Sequence, residues 1–182
     1  MPEKKRKLKP WTTLSSEIVH QNKYYAIRHD EFVLPNGKTG NYYIYDREAS
    51  VFIIPIKKGK IIFGKQFRYP IKKWSIEVPG GAVKDGYTFL QAAKEELREE
   101  AGYLGKLKRI GKFIPYNGIS RETCMVFLAT DLEFIGTNLE DSEVIQNLEI
   151  EISKAYEMIE KGKITDGMTI SALAIARKYL LR

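Results

Sequence analysis

The stretch GGAVKDGYTFLQAAKEELREEAGY, residues 80–103, changes its period midway, and that change limits the folds open to the chain. It begins as a glycine-bearing loop. Helical spacing then takes over at Leu90, Ala93 and Leu97 and is stopped by Gly102, a residue suited to a helix C-cap. On such a helix Glu96, Glu99 and Glu100 stand at i, i+3 and i+4, about 5–6 Å apart on one face. Carboxylates that close repel, and a cation is the obvious compensation. Clustered oxygen ligands with no Cys or His nearby favour a hard ion, Mg²⁺ or Mn²⁺, over zinc. A solvated helix face with Lys94 and Arg98 interspersed would read similarly, so the acids gain meaning from their surroundings.

Those surroundings are rich in strands. KYYAIRHDEFVLPNGKTGNYYIYDRE reads as two strands around the turn Pro35-Asn36-Gly37, and SVFIIPIKKGKIIFGKQFRYP as a second hairpin around Lys58-Gly59-Lys60. The short run WSIEVPGG leads into the glycine loop. Beyond the acidic helix, strand-like stretches recur at LKRIGKFIPY, ETCMVFLATDL and VIQNLEIEI. Two helical patterns follow, Ser153 to Lys161 and Met168 to Leu181. Asp166 is the expected N-cap of the second, with Ile170, Leu173, Ala174, Ala176 and Leu180 available for packing. The pattern predicts an α/β or α+β domain over residues 49–182, preceded by a small antiparallel β section at 11–48.

A length of 182 residues is enough for one cored domain with an appendage. The single cysteine, Cys124, cannot form an internal disulfide and reads as a core residue in an apolar run. No apolar stretch reaches the length of a membrane span, and MPEKKRKLKP lacks the apolar segment of a signal peptide, so the expected location is the cytoplasm. Residues 1–10 read as a basic, solubilising, disordered tail. They supply +4 of the net charge of +7 and are the one feature that speaks for nucleic acid.

Gly81, five residues, a position, seven residues and EELREEAGY together resemble the box of the Nudix hydrolases. Gly81, Glu96, Leu97, Glu99, Glu100 and Gly102 match its frame. Tyr87 stands where its first glutamate belongs and Glu95 where its arginine belongs. GKQFRYPIKKWSIEVPGG is similar to the approach to the box in the branch that cleaves ADP-ribose and nucleoside diphosphate sugars, and DGMTISALAIARKYL to that branch's last helix. The likeness runs from about residue 12 onward. It implies a mixed sheet sandwiched between helices, with an N-terminal section that dimerises.

For the site, the resemblance implies that Glu96 and Glu100 are the core metal ligands, joined by Glu99 directly or through water and by the Gly80 carbonyl. Glu143, with Glu140 second, is the expected base, the alternative being that these are loop-surface acids; Glu99 is also placed in the catalytic set. Arg68 is expected to grip a substrate phosphate, the alternative being an exposed strand arginine. Glu77 binds substrate or supports the metal, and Trp74 either contacts the sugar or base or packs in the core. Tyr24 or Tyr25, from a partner subunit, either stacks on the base or is a sheet residue. Gly118 lies in the loop YNGIS, where ADP-ribose-specific members carry a proline, and this leaves nucleoside diphosphate sugars more open. The implied activity is metal-dependent diphosphate hydrolysis giving a nucleoside monophosphate and a sugar phosphate. The alternatives are a weakened nucleotide-binding or regulatory module and a hydrolase of dinucleotides or RNA ends.

Overall fold

The computed structural model describes residues 9–139 and 144–181. They divide into two compact units, one running up to Arg47 and taking in Tyr116–Arg121, the other comprising Glu48–Pro115 and the residues from Glu122 onward.

The first unit is a three-stranded antiparallel sheet of β1 (Thr12–Gln21), β2 (Ala26–Val33) and β3 (Thr39–Asp46), in that spatial order. Strands β2 and β3 flank the expected Pro35-Asn36-Gly37 turn. β1 is an additional strand, bulged twice against β2. Its ten residues TTLSSEIVHQ are all exposed, so it lacks the buried face whose alternation would betray it. The segment Tyr116–Arg121 closes on β3: Tyr45 N–H donates to the Ile119 carbonyl at 2.7 Å, and the Tyr42 hydroxyl donates to the Gly118 carbonyl.

The second unit is built on a seven-stranded mixed sheet. Its strands are β4 (Ser50–Lys57), β5 (Lys60–Arg68), β6 (Lys73–Glu77), β7 (Gly80–Ala82), β8 (Tyr103–Phe113), β9 (Cys124–Phe134) and β10 (Ile145–Glu151). The main path runs β10-β5-β4-β9-β8, with β4 and β9 parallel and the other neighbours antiparallel. Lys58 and Gly59 take φ of 49° and 77° at the β4–β5 turn, the left-handed pair that a two-residue hairpin needs to match strand twist.

β4 and β5 share only the pairs Ile56↔Ile61 and Lys57↔Lys60 before they part. The segment 73–82 fills the gap, β6 pairing with β5 and β7 with β4, and the Pro79 carbonyl accepts the Ile53 N–H at 2.9 Å. The glycine loop is thereby stitched into the middle of the sheet.

Period-2 alternation sends β4 side chains to two cores. Val51 and Ile53 pack with Ile62 and with Ala92, Ala93 and Leu97 of α1 (Phe89–Glu99) on one side. On the other, Ile54, Ile61 and Phe63 pack with Ala155 of α2 (Ile152–Glu160) and Ala172, Leu173 and Ala176 of α3 (Gly167–Leu180). This is the mixed sheet between helices that the family resemblance implies. Two packing expectations fail: Leu90 is 43% exposed because Ala92 and Ala93 face the sheet, and in α3 Ala172 takes the inward position instead of Ala174. Cys124 is fully buried.

Candidate active site

The acidic helix begins with a reciprocal cap. Thr88 Oγ1 accepts the Gln91 N–H at 3.2 Å while the Gln91 side chain accepts the Thr88 N–H at 2.9 Å. With the entry fixed, the four glutamates at the other end fall beside the loop from β7. The Gly80 N–H donates to Glu100 Oε2 at 2.8 Å, and Glu100 is buried. At Gly81 an added Cβ would lie 2.3 Å from a Glu96 carboxylate oxygen, and at Gly80 one would lie 2.4 Å from the Val51 carbonyl. Only glycine lets this backbone come so close to those acids.

The two remaining acids have cations. Lys84 Nζ meets Glu95 Oε2 at 3.1 Å, and Arg98 Nη2 meets Glu99 Oε1 at 2.7 Å. Arg98 lies at i+3 from Glu95 but turns to the adjacent Glu99, which leaves Glu95 to Lys84. Lys84 is held above its ordinary pKa first by its hydrogen bond to Glu95, with the charges of Glu99 and Glu96 adding to it.

A second acid–base pair spans the β5–β6 ladder, Arg68 at one end of the register and Glu77 at the other. Arg68 donates through Nε at 2.9 Å and Nη2 at 2.5 Å to the two carboxylate oxygens of buried Glu77, which also accepts from Gln66 Nε2 at 3.3 Å. The two expected substrate contacts thus form one fork-to-fork unit. That hydrogen bond is the main reason the guanidinium is held still more firmly protonated, and the charges of Asp166 and Glu100 reinforce it. Asp166 caps α3 as expected, accepting the Thr169 N–H at 2.7 Å, and Thr169 Oγ1 accepts the Val78 N–H at 3.1 Å.

Trp74 is 57% exposed, edge-on to Phe67 and under Lys65 Nζ, so the packed-core reading of this tryptophan does not hold. Tyr24, Tyr25 and Gly118 belong to the first unit. Tyr24 is 72% exposed, whereas Tyr25 rests against Tyr45 with ring centroids 5.0 Å apart. Glu140 and Glu143 lie outside the described residues.

Among the described residues, no three His, Cys, Asp or Glu side chains converge as a closed metal cage. A magnesium-type ion does not require one, since it keeps several waters and binds through one or two carboxylates plus substrate phosphate. An all-oxygen donor set beside a glycine backbone fits such an ion in kind.

Lys84 and Gln66 escaped the sequence reading because each acts across a loop or a ladder, eleven residues from its partner. Buried Glu122, which accepts from Ser50 Oγ at 2.6 Å, was marked only by its place before an apolar run.

A family model described as "NUDIX domain" matches residues 45–166, and one described as "Nucleoside diphosphate sugar hydrolase N-terminal domain" matches residues 11–45. A protein of Bacillus subtilis (strain 168) named ADP-ribose pyrophosphatase is 30% identical over 165 residues, covering 88% of this chain and 89% of its own. A Bacillus methanolicus protein named methanol dehydrogenase activator is 26% identical with the same coverage. A solved structure described as an ADP compounds hydrolase superposes with a TM-score of 0.86 over 96% of both chains at 20% identity, a likeness of fold.

Proposed function

The chain belongs to the NUDIX family, and from that premise we propose that it hydrolyses the diphosphate bond of ADP-ribose or a nucleoside diphosphate sugar, giving a nucleoside monophosphate and a sugar phosphate. The observation that carries the reading is the Gly80-Gly81 loop laid on Glu96 and Glu100. Nudix hydrolases generally need divalent cations. Here Glu96 and Glu100, with Glu99 and the Gly80 carbonyl, would hold the ion, and the hardness of these donors favours Mg²⁺ or Mn²⁺. Bound there, the ion neutralises diphosphate charge and polarises the attacked phosphorus.

The chain's own groups do the rest. Glu77 clamps two donors of Arg68, which fixes the guanidinium plane so that its other N–H groups can grip a phosphate oxygen without losing rotamer freedom on binding. Exposed Trp74 offers a ring face to a base or sugar. Glu143, or failing it Glu140, takes the proton from the attacking water. The missing proline before Gly118 tilts preference toward nucleoside diphosphate sugars over ADP-ribose.

The exposed apolar side chains of β1, Leu14, Ile18 and Val19, support a homodimer formed through the N-terminal section, with Tyr24 or Tyr25 reaching the partner's substrate. No described helix is long and apolar enough to cross a membrane, and the cytoplasm is the proposed location. Tyr87 and Glu95, in place of two expected box residues, favour a second reading, a module that binds nucleotide but turns it over poorly.

The deciding experiment measures release from ADP-ribose, GDP-mannose, UDP-glucose and dinucleotides with Mg²⁺, with Mn²⁺ and with chelator. Metal-dependent release of a nucleoside monophosphate is the expected result. Tight binding without release would support the second reading instead.

A further inference from the structure

Four carboxylates crowd the end of α1, and the structure sorts them two by two. Glu96 and Glu100 meet the glycine loop, whereas Glu95 and Glu99 meet the cations Lys84 and Arg98. The Lys84 arm of this arrangement is the less expected. Its loop is closed by the Lys84 carbonyl accepting the Tyr87 N–H at 3.0 Å, with Gly86 at φ 80°, and the next residue, Thr88, caps the helix. The turn therefore hangs Lys84 directly from the helix entry, and its ammonium reaches forward to Glu95, almost two turns along. Glu95 Oε2 is thereby held by a cation from outside the helix, at the place where the family frame has a cation of the helix itself.

We propose that Lys84 is a positioning residue that holds Glu95 out of the metal-binding set. The proposal rests on the metal-dependent reading given above. Its logic is one of compensating charge. With Lys84 gone, Glu95 becomes an additional acid able to draw the ion off its proper ligands. With Glu95 gone, Lys84 is released toward Glu99 and Glu96, where it competes with the ion.

The two losses therefore have opposite signs in metal affinity and the same sign in catalysis. Lys84→Met should tighten Mn²⁺ binding and Glu95→Gln should weaken it, each by about three- to fivefold, the scale of a partly exposed ion pair. Both single variants should lose turnover, and the double variant should return toward the parent in both respects. Free Mn²⁺ is counted by electron paramagnetic resonance titration of the full chain, and turnover is measured on the best substrate of the panel.

Lys84→Arg, which keeps the charge, should behave as the parent and serves if Lys84→Met does not fold. Shifts of equal sign, no shift, or a double variant no closer to the parent than the singles would overturn the proposal. A parent protein that takes up no Mn²⁺ would instead overturn the metal-dependent reading beneath it.

Discussion

The two sheets of this molecule use the same backbone geometry and hold themselves together in different ways. In the second unit, Val51, Ile53, Ile54, Ile61 and Phe63 are wholly buried, and each contributes about 1.5–3 kcal/mol of transfer free energy. In the first unit no described hydrophobic side chain is fully buried. It is linked instead by surface pairs, Ser15 to Glu31, Ser16 to Asp30 and His29 to Asn41, and by the fork of Arg28 and Arg121 on Asp46. Pairs of that kind contribute a few tenths of a kcal/mol, up to about 1 kcal/mol, each. The difference teaches where precision and where recognition reside: the cored sheet can hold a glycine loop against buried Glu100, while the uncored one presents Trp11, Leu14, Ile18 and Val19 outward.

The largest test of that division falls on the cored unit. Glu100→Gln should lower turnover by more than about a hundredfold, because it alters a proposed ligand, while the urea midpoint stays near that of the parent. Unchanged turnover would remove the acid from the site. Leu173→Ala, in the core between α3 and the sheet, should cost about 2–5 kcal/mol by urea unfolding. A loss under about 1 kcal/mol would show that the aliphatic core is not what stabilises this unit.

The uncored sheet should respond differently. Ile18→Asp should leave unfolding of the second unit within about 0.5 kcal/mol of the parent, as a surface change does, yet shift the particle mass seen by light scattering from dimer to monomer. A parent that is already monomeric would break the proposed role of β1.

The smallest effect concerns pH. Burial works to raise the Asp46 pKa, but hydrogen bonds from Arg28 and Arg121 outweigh it and hold the carboxyl below its ordinary value. An acid depressed on folding adds stability above its unfolded pKa and loses it as pH falls through the folded one. The emission of Trp11, followed in a Trp74→Phe background, should report loosening of the first unit below the ordinary carboxylate range, worth less than about 1 kcal/mol after screening. Asp46→Asn should flatten that response; a response that persists would assign it to another acid.

What could be read from sequence follows from how local its cause is. The turns at Asn36-Gly37 and Lys58-Gly59, the Asp166 cap and the spacing of Ala93 and Leu97 are each dictated within a few residues, and each appears in the structure. β1 left no mark because an exposed edge strand has no buried face to alternate with. The pairing of Lys84 with Glu95, and of Arg68 with Glu77, depends on where a loop and a ladder return the chain, and residue spacing does not encode that. Crowded glutamates point to a cation; which glutamates meet it is decided by the fold.

The parting of β4 from β5 has a consequence for how such a chain can change. The segment 73–82 is hydrogen-bonded to a strand on each side, so an insertion within it would shift two registers at once. Length variation is better tolerated at Tyr69–Lys72, the hairpin tip beside Trp74. A lineage of this chain could alter the groups it accepts through that tip while the sheet-bound glycines and the turn that carries Lys84 stayed at constant length.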